Sequence, residues 1–185
     1  MFINALNKSY DRESCILIVD DDPSLLKFFK IHLNKFFSKI VVVENVAAAI
    51  KELAARPFDL VISDVRMPKT DGLQLLKKVR KLDTSIPIFM ISGEIMTDEQ
   101  AKKLMFADAF LKKPFDFDDF HRFIALGIDL RQALKELAEP LGKDCDIRKI
   151  LRENLASNKK LSLKKDVVKV YLQVTEELKK FSHTA

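Results

Sequence analysis

Tryptophan is missing from this 185-residue chain, although phenylalanine occurs 14 times. That imbalance by itself implies nothing about function. Cysteine is scarce, with only Cys15 and Cys145 present. Cys15 falls in an apolar run and Cys145 in a polar one, and neither has metal-ligand spacing, so no disulfide framework or cysteine metal site is indicated. Histidine occurs three times, and His32, His121 and His183 stand apart with no ligand spacing. They offer no histidine metal motif and little basis for a phosphotransfer role. No apolar run approaches the length of a membrane span, so membrane insertion is not expected. The opening residues 1–6 are too short and broken for a signal peptide, and the expected compartment is the cytoplasm.

What is present is enough apolar content for a core, at 48%. The length suggests one full domain plus something small. The formal net charge is +5 and is unevenly spread. Residues 1–127 hold 19 Lys and Arg against 18 Asp and Glu, a net of +1, whereas residues 128–185 hold 13 against 9, a net of +4. The basic excess therefore lies in the tail, where a solvated surface is the ordinary explanation and an anionic partner the alternative.

The chain is organised around residues 59–68, where an apolar run over 60–62 leads into Asp64 and Pro68 follows four residues later. The run has the length and content of a buried strand. Two other apolar runs end in comparable chemistry: 15–19 leads into Asp20, Asp21 and Asp22, and 88–91 into Ser92 and Gly93. A fourth, 109–111, ends in Lys112, Lys113 and Pro114. In an open α/β sheet, ligand chemistry collects at the carboxyl ends of the strands.

Taken in order, strands are expected at 15–19, 40–43, 60–63, 88–91 and 109–111. Helices are expected at 23–37, 46–55, from Gly72 to about Leu82, from Thr97 or Asp98 to about Phe106, and again from Asp116. Asp22 before Pro23 reads as an N-cap rather than a ligand. Crossovers of this length force parallel pairing and are right-handed. The alternation predicts a doubly wound α/β domain with a five-stranded parallel sheet.

The acids after the first and third strands can meet at one sheet edge. Such a cluster calls for a cation, because like carboxylates raise each other's pKa. Hard oxygen ligands with room for water suit Mg²⁺. A carboxylate there can attack a phosphoryl group and form an acyl phosphate, with a serine hydroxyl and a lysine ammonium available to the phosphoryl oxygens. Each residue alone has a blander reading: Asp20 and Asp21 as turn acids, Ser92 as part of a turn, Phe110 as core, and Lys112 as a solvated neighbour.

In this order and spacing the four stretches resemble the receiver domain of two-component response regulators, over about residues 14–126. The resemblance implies the flavodoxin-like strand order 2-1-3-4-5. It also implies Asp64 as phosphoacceptor, with Mg²⁺ held by Asp20, Asp21, Asp64 and the backbone carbonyl of Arg66. Ser92 and Lys113 would contact the phosphoryl group, the Lys113–Pro114 bond would be cis, and Ser92 and Phe110 would act as switch residues. The implied partners are a sensor histidine kinase or phosphotransfer protein and a downstream protein reached through the face of the fourth helix, fifth strand and fifth helix. Such a protein is a phosphoacceptor and not a turnover enzyme; a phosphatase of the aspartyl-phosphate type is a weaker reading. The chain departs from the family at Phe106, where glycine is usual and which is expected to be exposed. Its switch residue is Phe110 rather than tyrosine. Arg66 and Glu94 sit two residues after Asp64 and Ser92, and a pair between them across the site would obstruct hydrolytic water.

The receiver is expected over 14–127 and a helical output extension over 128–185. Phe123, Leu126, Leu130, Leu134 and Leu137 follow helical steps across Gly127, which costs a helix only about 1 kcal/mol. This stripe either packs in cis against the last helix or forms a seam in a homodimer. Pro140 and Gly142 should interrupt it, with further helices at about 146–156 and 162–181. Residues 167–174 also alternate, which keeps a strand open. The tail fits no DNA-binding motif well, so DNA is the alternative and not the leading partner.

Overall fold

The computed structural model describes residues 13–68, 70–93, 102, 104, 106–142, 145–157 and 165–182. Five strands form one parallel sheet: β1 (Cys15–Val19), β2 (Lys39–Val43), β3 (Leu60–Asp64), β4 (Ile88–Ser92) and β5 (Ala109–Lys112). Their order across the sheet is 2-1-3-4-5, as expected of a doubly wound flavodoxin-like domain. Strands β1, β3 and β4 are buried at every position, which explains why they read as unbroken apolar runs rather than alternating ones.

The helices are α1 (Pro23–Leu33), α2 (Val46–Ala55), α3 (Gly72–Leu82), α4 (Phe117–Ala138), α5 (Ile147–Ser157) and α6 (Lys165–Ser182). The first four begin at acid or amide caps. Asp22 accepts from the N–H groups of Ser24 and Leu25, Asn45 from Ala48, Asp71 from Leu73, and Asp116 from Asp119. Each such cap is worth about 1 kcal/mol. The helix expected over 97–106 lies mostly outside the described residues; Lys102 and Leu104 are helical and Phe106 is in a turn, exposed as expected.

Helix α1 stops four residues earlier than the sequence suggests. Asn34 is its C-cap, and the N–H groups of Phe36 and Phe37 both reach the Leu33 carbonyl at 2.9 Å. This turn carries Phe37 back into the core, where it is 1% exposed. The expected helical range 23–37 thus ends in a turn that buries Phe37.

Two apolar clusters cover the two sheet faces. One joins the inner sides of α2 and α3 to the sheet. The other joins α1 and α4 to the sheet and continues into the tail through Ile147, Leu151, Val174, Leu178 and Phe181. Helix α4 runs without a break past Gly127. A Cβ there would lie 2.8 Å from both methyls of Leu60 and 2.9 Å from the Phe89 ring, so this glycine lets the helix approach the sheet closely.

Residues 139–141 form a 3-10 turn and Gly142 has a positive φ of 88°, so the interruption falls where Pro140 and Gly142 placed it. The valine-rich stretch 167–174 is helical. Helix α6 packs in cis against α4 and β5: the rings of Phe123 and Phe181 meet at 5.3 Å, and Arg122 pairs with Glu177 at 2.6 Å. Leu130, Leu134 and Leu137 are at most 1% exposed. The stripe is thus buried within this chain, in the cis arrangement that was one of the two expected. Among the described residues, no helix is long and apolar enough to cross a membrane.

Candidate functional site

The parallel register brings four strand ends to one edge. Val19 pairs with Ser63, Asp64 with Ile91 and Ser92 with Lys112, so Asp20, Asp64, Ser92 and Lys113 all emerge together. The Lys113 ammonium donates to Asp20 Oδ2 and to Asp64 Oδ1, both at 2.7 Å. The second Asp64 oxygen accepts from the Arg66 N–H at 2.6 Å, and Asp20 Oδ1 accepts from the Asp22 N–H at 3.0 Å. Asp20, Asp64 and Ser92 are buried, and the Lys113 backbone N–H is fixed to the Ser92 carbonyl at 2.8 Å. The Lys113–Pro114 bond is cis.

The loop after Asp64 is pinned by a small antiparallel ribbon, with Arg66–Met67 paired to Thr70–Asp71. This returns the chain to the start of α3, where the Gly72 N–H reaches the Val65 carbonyl at 2.9 Å. A Cβ on Gly72 would stand 2.1 Å from the Asp64 carbonyl oxygen and 2.9 Å from Ser63 Oγ. Only glycine permits that approach, so Gly72 helps set the backbone that carries Asp64. Neither the ribbon nor this contact was read from the sequence; the interval between Pro68 and Gly72 was the available signal of a tight return.

The electrostatics follow from one cation serving two buried acids. Burial raises the pKa of the Asp64 carboxyl, the bonds from Lys113 oppose that, and Asp20 raises it further. Burial works against the Lys113 charge, but its bonds to Asp20 and Asp64 outweigh this and hold the ammonium above its ordinary value.

The other expected residues are placed differently. Asp21 is exposed and takes no part in the Lys113 bridge, whereas Asp22 caps α1. Arg66 is exposed and contributes its N–H to Asp64. Phe110 is half-buried against the cluster on the α2 and α3 face, together with Leu104 and Ala107. Glu94 lies outside the described residues. Among the described residues, no three acidic, histidine or cysteine side chains converge, and Lys113 bridges the two buried carboxylates. The donor chemistry nonetheless suits Mg²⁺. Asp20 and Asp64 are hard oxygen donors already sharing one positive charge, and Mg²⁺ commonly needs only one or two carboxylates plus water.

Residues 16–125 match the response regulator receiver domain family. The chain belongs to that family. The receiver is 34% identical over 110 residues to the transcriptional regulatory protein GlrR of Escherichia coli, a match covering 59% of this chain and only 25% of GlrR. The chain thus spans about a quarter of that relative. Among solved structures, it resembles one described as adenylate cyclase from Rhodopirellula baltica, with TM-score 0.63 and 28% identity over 70% of this chain and 97% of that one. It also resembles the response regulator protein TrrA from Thermotoga maritima in complex with Mg²⁺ and BeF, with TM-score 0.54 and 28% identity, covering 60% of this receiver chain and 96% of TrrA.

Proposed function

We propose that residues 14–127 act as the phosphoacceptor unit of a two-component system and residues 128–185 as its output extension. The observation that carries this reading is the buried bridge from Asp20 through Lys113 to Asp64 at the strand ends. An oxygen of Asp64 attacks the phosphorus of a partner's phosphohistidine; a P–O bond forms, the donor P–N bond breaks, and an acyl phosphate results. The electron pair of the broken bond stays with the donor imidazole. Lys113 places a point charge beside the new phosphoryl oxygens, and the Ser92 hydroxyl supplies a donor at the same edge. Bound Mg²⁺, held by Asp20, Asp21, Asp64 and the Arg66 carbonyl, would neutralise charge on those oxygens. Ser92 and Phe110 are the proposed switch residues, on adjacent strands β4 and β5.

A histidine kinase or phosphotransfer protein is the proposed donor, in the cytoplasm, and a downstream protein is the proposed recipient. The receiver is not expected to turn over an external substrate. A second reading is a DNA-binding regulator. It is favoured by GlrR being a transcriptional regulatory protein and by the basic excess of residues 128–185. Against it, the apolar face of α6 is spent on the receiver rather than on a separate binding module.

Intact-mass measurement with a small acyl phosphate donor and Mg²⁺ tests the reading. One phosphoryl group should add to the wild type and none to Asp64→Asn. Continuous release of phosphate from an external ester would instead indicate a phosphatase. Salt-dependent retention on duplex DNA by the phosphorylated chain would favour the second reading.

A further inference from the structure

The tail is tied to the receiver at the end of β5 opposite the phosphoacceptor. Asp108, immediately before β5, is half-buried with its side chain only 6% exposed, and two arginines from different elements share its carboxylate. Arg80 of α3 donates to Oδ2 at 2.6 Å. Arg148 of α5 makes a fork, to Oδ1 with one terminal nitrogen and to Oδ2 at 3.1 Å with the other. The N–H of Ile88 at the start of β4 also donates to Oδ2, at 2.8 Å. Arg148 further bonds the carbonyl of Thr84, and Arg80 those of Ile86 and Phe106. A single carboxylate thus fastens the tail, α3 and the entry to β5.

Strand β5 is the edge of the sheet and pairs with β4. Asp108 stands at its start, and Lys113, which holds Asp64, follows its end. Five residue steps of about 3.3 Å separate them by about 16 Å. The flank of β5 is covered by α6, so the strand touches the tail along its length as well as at Asp108.

We infer that β5 couples the phosphoryl state of Asp64 to the docking of helices α5 and α6, with the Asp108–Arg148 fork as the joint. This rests on Asp64 being the phosphoacceptor. In the unphosphorylated chain Lys113 is held by Asp20 and Asp64 while the fork is closed. A new phosphoryl group draws Lys113 out of that bridge and moves the strand it terminates. A bidentate arginine–carboxylate fork tolerates displacement poorly, so phosphorylation loosens the tail. Coupling of this kind is reciprocal: releasing the fork must favour phosphorylation.

The test is hydrogen exchange read by mass spectrometry on the full chain, with and without acyl phosphate donor and Mg²⁺, alongside intact mass. Phosphorylated wild type should exchange faster than unphosphorylated wild type over α5 and α6. Arg148→Met should lower the donor concentration for half-labelling by about fivefold or more. If that variant does not fold, Arg148→Lys, which keeps the charge but loses the fork, should shift half-labelling in the same direction. Full labelling with unchanged exchange over α5 and α6 would overturn the coupling, as would unchanged half-labelling in the folded variant. Failure of the wild type to label at all would instead remove the phosphoacceptor reading, and the coupling with it.

Discussion

At the scale of single residues, two glycines make contrasting predictions. Gly72 faces a backbone carbonyl that cannot move aside, whereas Gly127 faces the methyls of Leu60 and the ring of Phe89, which can give a little. Gly127→Ala gains about 1 kcal/mol of helix propensity against an overpacking cost of about 1–3 kcal/mol. Gly72→Ala should therefore lose clearly more stability in urea denaturation than Gly127→Ala; equal losses would mean that the Asp64 backbone is not held by this approach. His121 lies against Phe36, with ring centroids 4.2 Å apart, and burial holds its pKa below the ordinary value despite Asp118. The fold prefers the neutral ring. Its contribution is thus present above the unfolded value of about 6.5 and is lost as pH falls from there through the folded value. An NMR titration of His121 should have its midpoint below about 6.5, and a midpoint above that would contradict the packing described.

At the scale of elements, the strands were legible because each is an apolar run cut off by a charged or polar group, and the sheet's parallel register turns those cut-offs into one site. Asp20, Asp64 and Lys113 could be grouped for that reason, although 93 positions separate the first from the last. The end of α1 was not legible, because a buried Phe37 fits a helical stripe and a turn equally well. The ribbon after Asp64 is two residues a side, too short for any periodicity. The fork of Arg148 on Asp108 spans 40 positions and leaves no spacing to read. The sequence allowed helix or strand over 167–174; packing on α4 and β5 decides for helix. Leu130 is fully buried in that packing. Leu130→Asp should cost several kcal/mol, about the price of an unpaired buried charge, and should release α6 in hydrogen exchange. Unaltered protection of residues 165–182 would show that α6 does not depend on this stripe.

At the scale of the whole molecule, one apolar cluster runs from the sheet into the last helix, so receiver and tail form a single packed body and not two tethered ones. NMR relaxation should give one correlation time for the sheet strands, α1–α4 and α6; two distinct values would contradict this. Lys113→Ala should still accept a phosphoryl group but should no longer change exchange in the tail, because the side chain that joins Asp64 to β5 is gone. An unchanged tail response in that variant would take Lys113 out of the route. All of this depends on the chemistry at one carboxylate. The most direct measurement is to label the chain with a small acyl phosphate and Mg²⁺, reduce the acyl phosphate with borohydride, and sequence the peptides by mass spectrometry. The account predicts modification at Asp64 alone, with none in Asp64→Asn. A label at another residue, or undiminished labelling of Asp64→Asn, would contradict it.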